Sequence, residues 1–150
     1  MQLRCVQAED RDYKMLADLL DAYYFDVVGD IQKKYALENR PENFACRLVM
    51  YDQEIPVGCG CWKAVGADTA EIKRIFVLPA YRRRGVASAI LSTLEEDIVR
   101  SGRSRIILET ARMTPASIAF YQTLHYREIR NYGSPAGEDH AVCFEKYMKA

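Results

Sequence analysis

Neither sign of charge is in excess. The 150 residues carry 21 lysines and arginines against 21 aspartates and glutamates, a formal net charge of +0. A chain whose main task is to grip nucleic acid or an anionic membrane draws its affinity from a basic surplus, so neither partner is expected. Long apolar runs are missing too, and none approaches the roughly 20 residues a bilayer-spanning helix needs. The amino terminus, Met1-Gln2-Leu3-Arg4-Cys5, turns polar at once, which predicts a cytoplasmic protein without a secretory leader. Histidine is scarce, with only His125 and His140. Cys59 and Cys61 have no second closely spaced cysteine pair to complete a metal site, so no metal is expected and the five thiols read as small, reduced side chains. The Gly-x-x-x-x-Gly-Lys-Ser/Thr loop of nucleotide kinases is absent, and no clear set of magnesium-binding carboxylates replaces it.

What is present supports one core. Apolar residues make up 49% of a chain of single-domain length, so residues 1–150 are expected to form one domain. Residues 2–7 read as a first strand. A helix follows, with Glu9 and Asp10 as candidate caps and Met15, Leu16, Leu19, Leu20, Tyr23, Tyr24 and Val27 recurring at helical spacing. Gly29 breaks it, and residues 31–37 predict a second short helix. Residues 44–51 and 55–64 form a hairpin with Asp52-Gln53 at its tip. Gly58 and Gly60 inside the second of these strands point to a bulge or a close backbone approach. Residues 70–78 are a long strand ended by Pro79, and residues 85–100 a strong helix. Residues 105–111 are a buried strand. Thr114 caps a further helix with Pro115 at its first position, and strands at 126–131 and 141–147 end the chain. The order β-αα-β-β-β-α-β-α-β-β gives a single α/β domain with a mixed sheet.

The chemistry concentrates at residues 75–87, Ile-Phe-Val-Leu-Pro-Ala-Tyr-Arg-Arg-Arg-Gly-Val-Ala. A strand runs into a tight turn from which a helix starts. Unpaired amides at a helix start, with the helix dipole behind them, make an anion site. Gly85 permits close backbone approach, Ala87 keeps the helix start small, and Arg82, Arg83 and Arg84 add positive charge. These residues alone indicate a phosphate or pyrophosphate site, with a solvated basic loop as the alternative.

The spacing Arg-x-x-Gly-x-Ala after Val77-Leu78-Pro79 resembles the cofactor motif of the GNAT N-acetyltransferase superfamily. Leu108-Glu109-Thr110, Thr114-Pro115-Ala116-Ser117-Ile118-Ala119-Phe120-Tyr121 and Leu124-His125-Tyr126 resemble its later motifs. The similarity covers about residues 44–148. It implies an α+β domain whose mixed, mostly antiparallel sheet of six to seven strands is flanked by about four helices. It implies acetyl-CoA as cosubstrate, with the backbone of Ile75, Phe76 and Val77 along the pantetheine arm. Backbone amides from Arg83 to Ser88, Val86 and Ala87 included, would hold the pyrophosphate, and the arginine side chains would tune affinity. Thr114 stands where the family usually has Asn, a cofactor contact. His125 stands where Gly is usual, at a site that needs φ > 0, which His tolerates better than a β-branched residue.

The implied reaction is direct attack by a primary amine on the thioester in a ternary complex. An alkyl ammonium titrates near ~10.4, so at neutral pH a proton must be removed, against ~4–5 kcal/mol of barrier. Glu109 is one candidate base, because a carboxylate buried on an otherwise apolar strand would have a raised pKa. Glu71, acting through water, is the other, with pairing to Lys73 or Arg74 as the alternative for it. The resemblance makes Tyr121 the general acid to the CoA thiolate and also places it against the cofactor. The acceptor, a small-molecule amine or a peptide amine, would lie near Tyr24, Tyr35 and Tyr132 and the loop at 133–140, where Glu138 and Asp139 suit a cation. Relatives commonly dimerise, which leaves a homodimer open. The competing reading is a non-catalytic acyl-CoA sensor or an inactive relative of the fold.

Overall fold

The computed structural model describes residues 1–28, 39–132 and 140–149. Their elements are β1 (Gln2–Cys5), α1 (Arg11–Val28), β2 (Cys46–Asp52), β3 (Ile55–Ala64), β4 (Thr69–Val77), α2 (Val86–Arg100), β5 (Arg105–Ala111), α3 (Pro115–Thr123), β6 (Arg127–Ile129) and β7 (Ala141–Tyr147). The expected short helix at 31–37, the break at Gly29 and the loop at 133–139 lie outside the described residues. Among the described residues there are therefore three α-helices around one seven-stranded sheet.

The sheet order is β1-β2-β3-β4-β5-β7-β6. Every neighbouring pair is antiparallel except β4 and β5, whose parallel pairing needs the crossover that α2 supplies. The β2–β3 hairpin closes one residue later than expected. Asp52 pairs with Ile55, and Gln53, with φ 56°, takes the left-handed position of the turn. The strand expected over 126–131 is confined to the three residues of β6, an outer strand of the sheet.

Alternation in the strands sorts two cores to the two faces. On one face Tyr13, Leu16 and Leu20 of α1 pack on Val49, Tyr51, Cys59, Cys61 and Phe76. Only half of the α1 stripe is used in this way, since Met15, Leu19 and Tyr23 remain exposed. Asp10 caps the helix, accepting the Tyr13 amide at 2.9 Å. On the other face Ile90, Leu91, Leu94 and Ile98 of α2 fill the core with Leu48, Trp62, Ile72, Ile106, Leu108 and Phe144, and Tyr121 of α3 joins them. Both expectations for the β3 glycines are met. A register shift falls between Cys59 and Cys61. A Cβ on Gly60 would lie 2.6 Å from both Ile75 Cδ1 and Ile90 Cγ2, so α2 can sit close only because no side chain is there.

The feature that makes the site is a parting of two strands. The β4–β5 ladder has only the rungs Thr69↔Arg105, Ala70↔Ile106 and Glu71↔Ile107. Beyond them β4 continues to Val77 and β5 to Ala111 without pairing. The cause lies in β4: Arg74 adopts φ 65°, opposite the register shift in β3, and such a bulge bends and twists a strand. The bulge turns the buried Arg74 guanidinium onto α1, where Nη1 meets Asp21 at 2.9 Å and Nη2 donates to the Ala17 carbonyl at 3.0 Å.

Candidate active site

The parted strands open a cleft of about 860 Å3. Its walls are β4 from Ile72 to Val77, β5 from Glu109 to Ala111, the start of α2, α3 from Pro115 to Tyr121, and Tyr23 and Tyr24 of α1. That volume is within the range of small-molecule sites, and one end meets the helix start picked out by its arginines.

The turn between β4 and α2 is built as expected. Pro79–Tyr81 forms one 3-10 turn, Arg83 takes φ 64°, and Gly85 at φ 80° is the cap from which α2 begins. Ala89 donates the first helical bond, to the Gly85 carbonyl, so the amides of Val86, Ala87 and Ser88 stand ahead of the helical ladder at the cleft wall. No atom lies within 4 Å of where a Gly85 Cβ would be, and this open approach suits a diphosphate. The three arginines divide. Arg82 ties the turn to its own strand, its Nε donating to the Val77 carbonyl at 2.9 Å while its guanidinium lies over Phe76 and Tyr23. Arg83 is exposed at the cleft rim. Arg84 lies outside the cleft lining and covers the Tyr81 ring at 5.1 Å.

Ile75, Phe76 and Val77 line the cleft along the unpaired length of β4. Across from them Tyr121 is buried against Phe120, Tyr126 and Phe144, with ring centroids 5.1, 5.7 and 6.0 Å away. Burial, with Tyr24 nearby, pushes its phenol above the ordinary value of 10.0, so it stays protonated at neutral pH. Thr114 occupies the cap position of α3 and lines the cleft, but its side chain makes no cap bond. Its hydroxyl instead donates to the Ala111 carbonyl at 2.6 Å and lies 3.4 Å from the Thr110 hydroxyl. The expected capping by Thr114 is therefore corrected: the hydroxyl secures the end of β5, and Pro115 starts the helix without it. His125 has φ 71°, the left-handed backbone its position predicted.

The two candidate bases are placed differently. Glu109 is in the cleft wall and Glu71 is not. Glu71 is buried and accepts the Tyr132 hydroxyl at 2.9 Å, with Lys63 at 3.8 Å and Lys73 at 3.9 Å. Glu109 does not have the apolar surroundings its strand suggested, because the Lys73 ammonium is 3.9 Å from its Oε1. Tyr132 thus sits at Glu71 and is absent from the cleft lining. Its phenol is pushed up by burial and then by the Glu71 charge. Tyr24 is half-buried in the cleft wall and hydrogen-bonded to Thr110, its phenol raised by burial. Tyr35 lies outside the described residues. Thr110 was not singled out from the sequence, and Lys73 only as a possible partner of Glu71, which it is. Lys73 had one signal, its place two residues after Glu71, which puts both on one face of a strand. No cluster of three or more metal-ligating side chains occurs among the described residues.

The arrangement defines a class: α/β domains with a mixed sheet that opens a cleft where two parallel strands part beside a helix start. Residues 13–126 match the model of the acetyltransferase (GNAT) family. The chain belongs to that family. It is 34% identical over 93 residues to the uncharacterized N-acetyltransferase YjcF of Bacillus subtilis, an alignment covering 62% of this chain and 61% of that protein. The chain thus spans less than two thirds of that relative. Two solved structures share the fold: an aminoglycoside 6'-N-acetyltransferase complexed with coenzyme A (TM-score 0.74, 16% identity, 100% of this chain and 98% of that one) and the PaiA N-acetyltransferase of Thermoplasma acidophilum in complex with coenzyme A (TM-score 0.74, 15% identity, 97% and 98%).

Proposed function

We propose that the protein is an acetyl-CoA-dependent N-acetyltransferase, formed by residues 1–150 as a single catalytic domain, that acetylates a primary amine. The observation that carries the reading is the β4–β5 gap running from the amides of Val86, Ala87 and Ser88 to Glu109 and Tyr121. A pyrophosphate seated at the helix start leaves the pantetheine arm to follow the unpaired edge of β4. There the arm takes the place of a neighbouring strand beside Ile75, Phe76 and Val77, meeting those backbone groups that β5 leaves unanswered and β3 does not bond. An amide of the same stretch faces the charge that develops on the thioester oxygen.

The amine attacks the thioester carbon directly. Glu109 takes its proton, directly or through one water, and the Tyr121 hydroxyl gives a proton to the departing sulfur. Of the two carboxylates Glu109 is favoured, because it lines the cleft while Glu71 is engaged with Tyr132 and two lysines. Tyr24 borders the acceptor side, and Tyr132 supports it through Glu71. The acceptor is a small-molecule amine or a peptide amine, and aminoglycosides belong in the first panel because a protein of the same fold acts on them.

A thermal-shift titration with acetyl-CoA, followed by thiol release over amines, amino acids, aminoglycosides and peptide amino termini, tests the proposal. Stabilisation with turnover on one of these is expected. Stabilisation with no turnover on any would make the protein an acyl-CoA sensor, and no stabilisation would remove the cosubstrate assignment.

A further inference from the structure

We infer that Lys73 is a positioning residue of the transfer site, holding the Glu109 carboxylate in place across the gap between β4 and β5. This rests on the acetyl-transfer reading above. The last backbone rung between these strands is Glu71↔Ile107. Two residues further on each strand, where the next pair on the same face would stand, come Lys73 and Glu109. No ladder joins the strands there, yet the Lys73 ammonium lies 3.9 Å from Glu109 Oε1 and also 3.9 Å from Glu71 Oε2. One cation thus links the last closed rung to the first open position.

The placement is costly. The Lys73 side chain is only 6% exposed, and a buried ammonium pays a desolvation penalty that its partners must offset. A hydrocarbon of similar length would fill the volume without that penalty, so packing alone does not call for a charge at this position. Glu71 already has the Tyr132 hydroxyl and Lys63, so it does not depend on Lys73 alone. Glu109 stands on a strand edge that has lost its backbone neighbour, and a charge reaching across from β4 restrains it there. A base must sit within about half an ångström of its working position. Lys73 also lines the cleft, and the role inferred for its ammonium is indirect. It acts through Glu109 by fixing where that carboxylate waits for the amine.

The test is a mutant cycle read by steady-state kinetics, with melting temperature and the acetyl-CoA thermal shift measured on every variant. Lys73→Met is expected to lower kcat about 10-fold or more while the KM for acetyl-CoA and the acetyl-CoA shift stay near wild type. Lys73→Arg is expected to restore most of kcat, because it returns a cation to the gap. In a Glu109→Gln background Lys73→Met is expected to cost less than about 2-fold, since the group it acts through is gone. An unchanged kcat in Lys73→Met overturns the inference. So do losses that multiply fully in the double variant, or an Arg variant impaired as much as the Met variant with an equal fall in melting temperature. Should Lys73→Met not fold, Lys73→Gln takes its place under the same readings. If neither folds, the ammonium is structural and the inference falls. A wild-type protein that turns over no amine removes the acetyl-transfer reading itself, whereas an active wild type with an indifferent Lys73→Met removes only this inference.

Discussion

At the scale of single residues the site makes unequal demands on similar groups. Tyr121 keeps its proton because burial pushes the phenol above 10.0. On the proposed mechanism Tyr121→Phe should therefore lower kcat about 100-fold with little change in melting temperature, since it removes the proton donor and keeps the packing ring. The same shift has a pH consequence. A general acid with a raised pKa loses its proton later, so Tyr121 should cause no fall in kcat below pH 10, as a kcat-against-pH profile will reveal. The two glutamates should separate in the opposite sense. Glu109→Gln should cost about 100-fold in kcat and little stability. Glu71→Gln should act mainly on stability, leaving Lys63, Lys73 and the Tyr132 hydroxyl around a neutral amide. Paired kinetics and urea melts distinguish these patterns. The sequence made some of this legible. Gly85 and the arginines announced the turn at which α2 starts because helix-start chemistry is local, and the left-handed backbone of His125 followed from its standing where the family usually has Gly. The Thr114 hydroxyl was misread because a Thr-Pro pair looks like a cap whether its side chain turns toward the helix or back to Ala111.

At the scale of elements, β3 and α2 meet through an absence of side chains. Gly60→Ala would set a methyl group 2.6 Å from Ile90 Cγ2, and Ile90 is itself completely buried. Overpacking of this kind should destabilise the fold by about 1–3 kcal/mol, measurable as a lower urea midpoint. Because α2 also carries at its start the amides proposed to hold the pyrophosphate, the variant should weaken acetyl-CoA binding as well. The elements themselves were largely written in the sequence, since the hairpin, the α2 stripe and the strand at 105–111 follow from periodicity. The parting of β4 from β5 was not. Nothing in residues 69–77 or 105–111 states how many rungs a parallel ladder will have. That number depends on the Arg74 bulge, and the bulge depends on Asp21 and Ala17 of a distant helix.

For the whole molecule, alkaline pH is the predicted weak point. Burial raises Cys143 from an ordinary 9.0 to about 11 and Cys59 to about 12, and it raises the phenols of Tyr13, Tyr24, Tyr126 and Tyr132 above 10.0. A group with a raised pKa keeps its proton in the folded state after the unfolded state has given its proton up, so stability declines as pH rises. The contribution is intact below pH 9.0 and is lost as pH climbs toward 11 and 12. Urea midpoints should hold nearly level from pH 7 to 8.5 and then fall steeply between pH 9 and 11. No helix among the described residues is long and apolar enough to cross a membrane, in line with the absence of long apolar runs in the sequence. The balanced charge was readable from composition, whereas the division of the apolar residues into two cores, one on each face of the sheet, was not. The acceptor was not, because it depends on which side chains converge rather than on how many there are.

The three-rung ladder between β4 and β5 also has a consequence for solvent. Past Glu71 the β4 amides that do not bond β3 face the gap instead of a partner strand, and the bulge at Arg74 and Ile75 shifts their alternation by one residue. Amide hydrogens along residues 72–77 should therefore exchange with deuterium in a mixed fast and slow pattern whose alternation changes phase at the bulge, inside a strand that is otherwise among the best buried in the protein. Acetyl-CoA should slow only the fast set. The strand would then register its cosubstrate one amide at a time, before any acetyl group has moved.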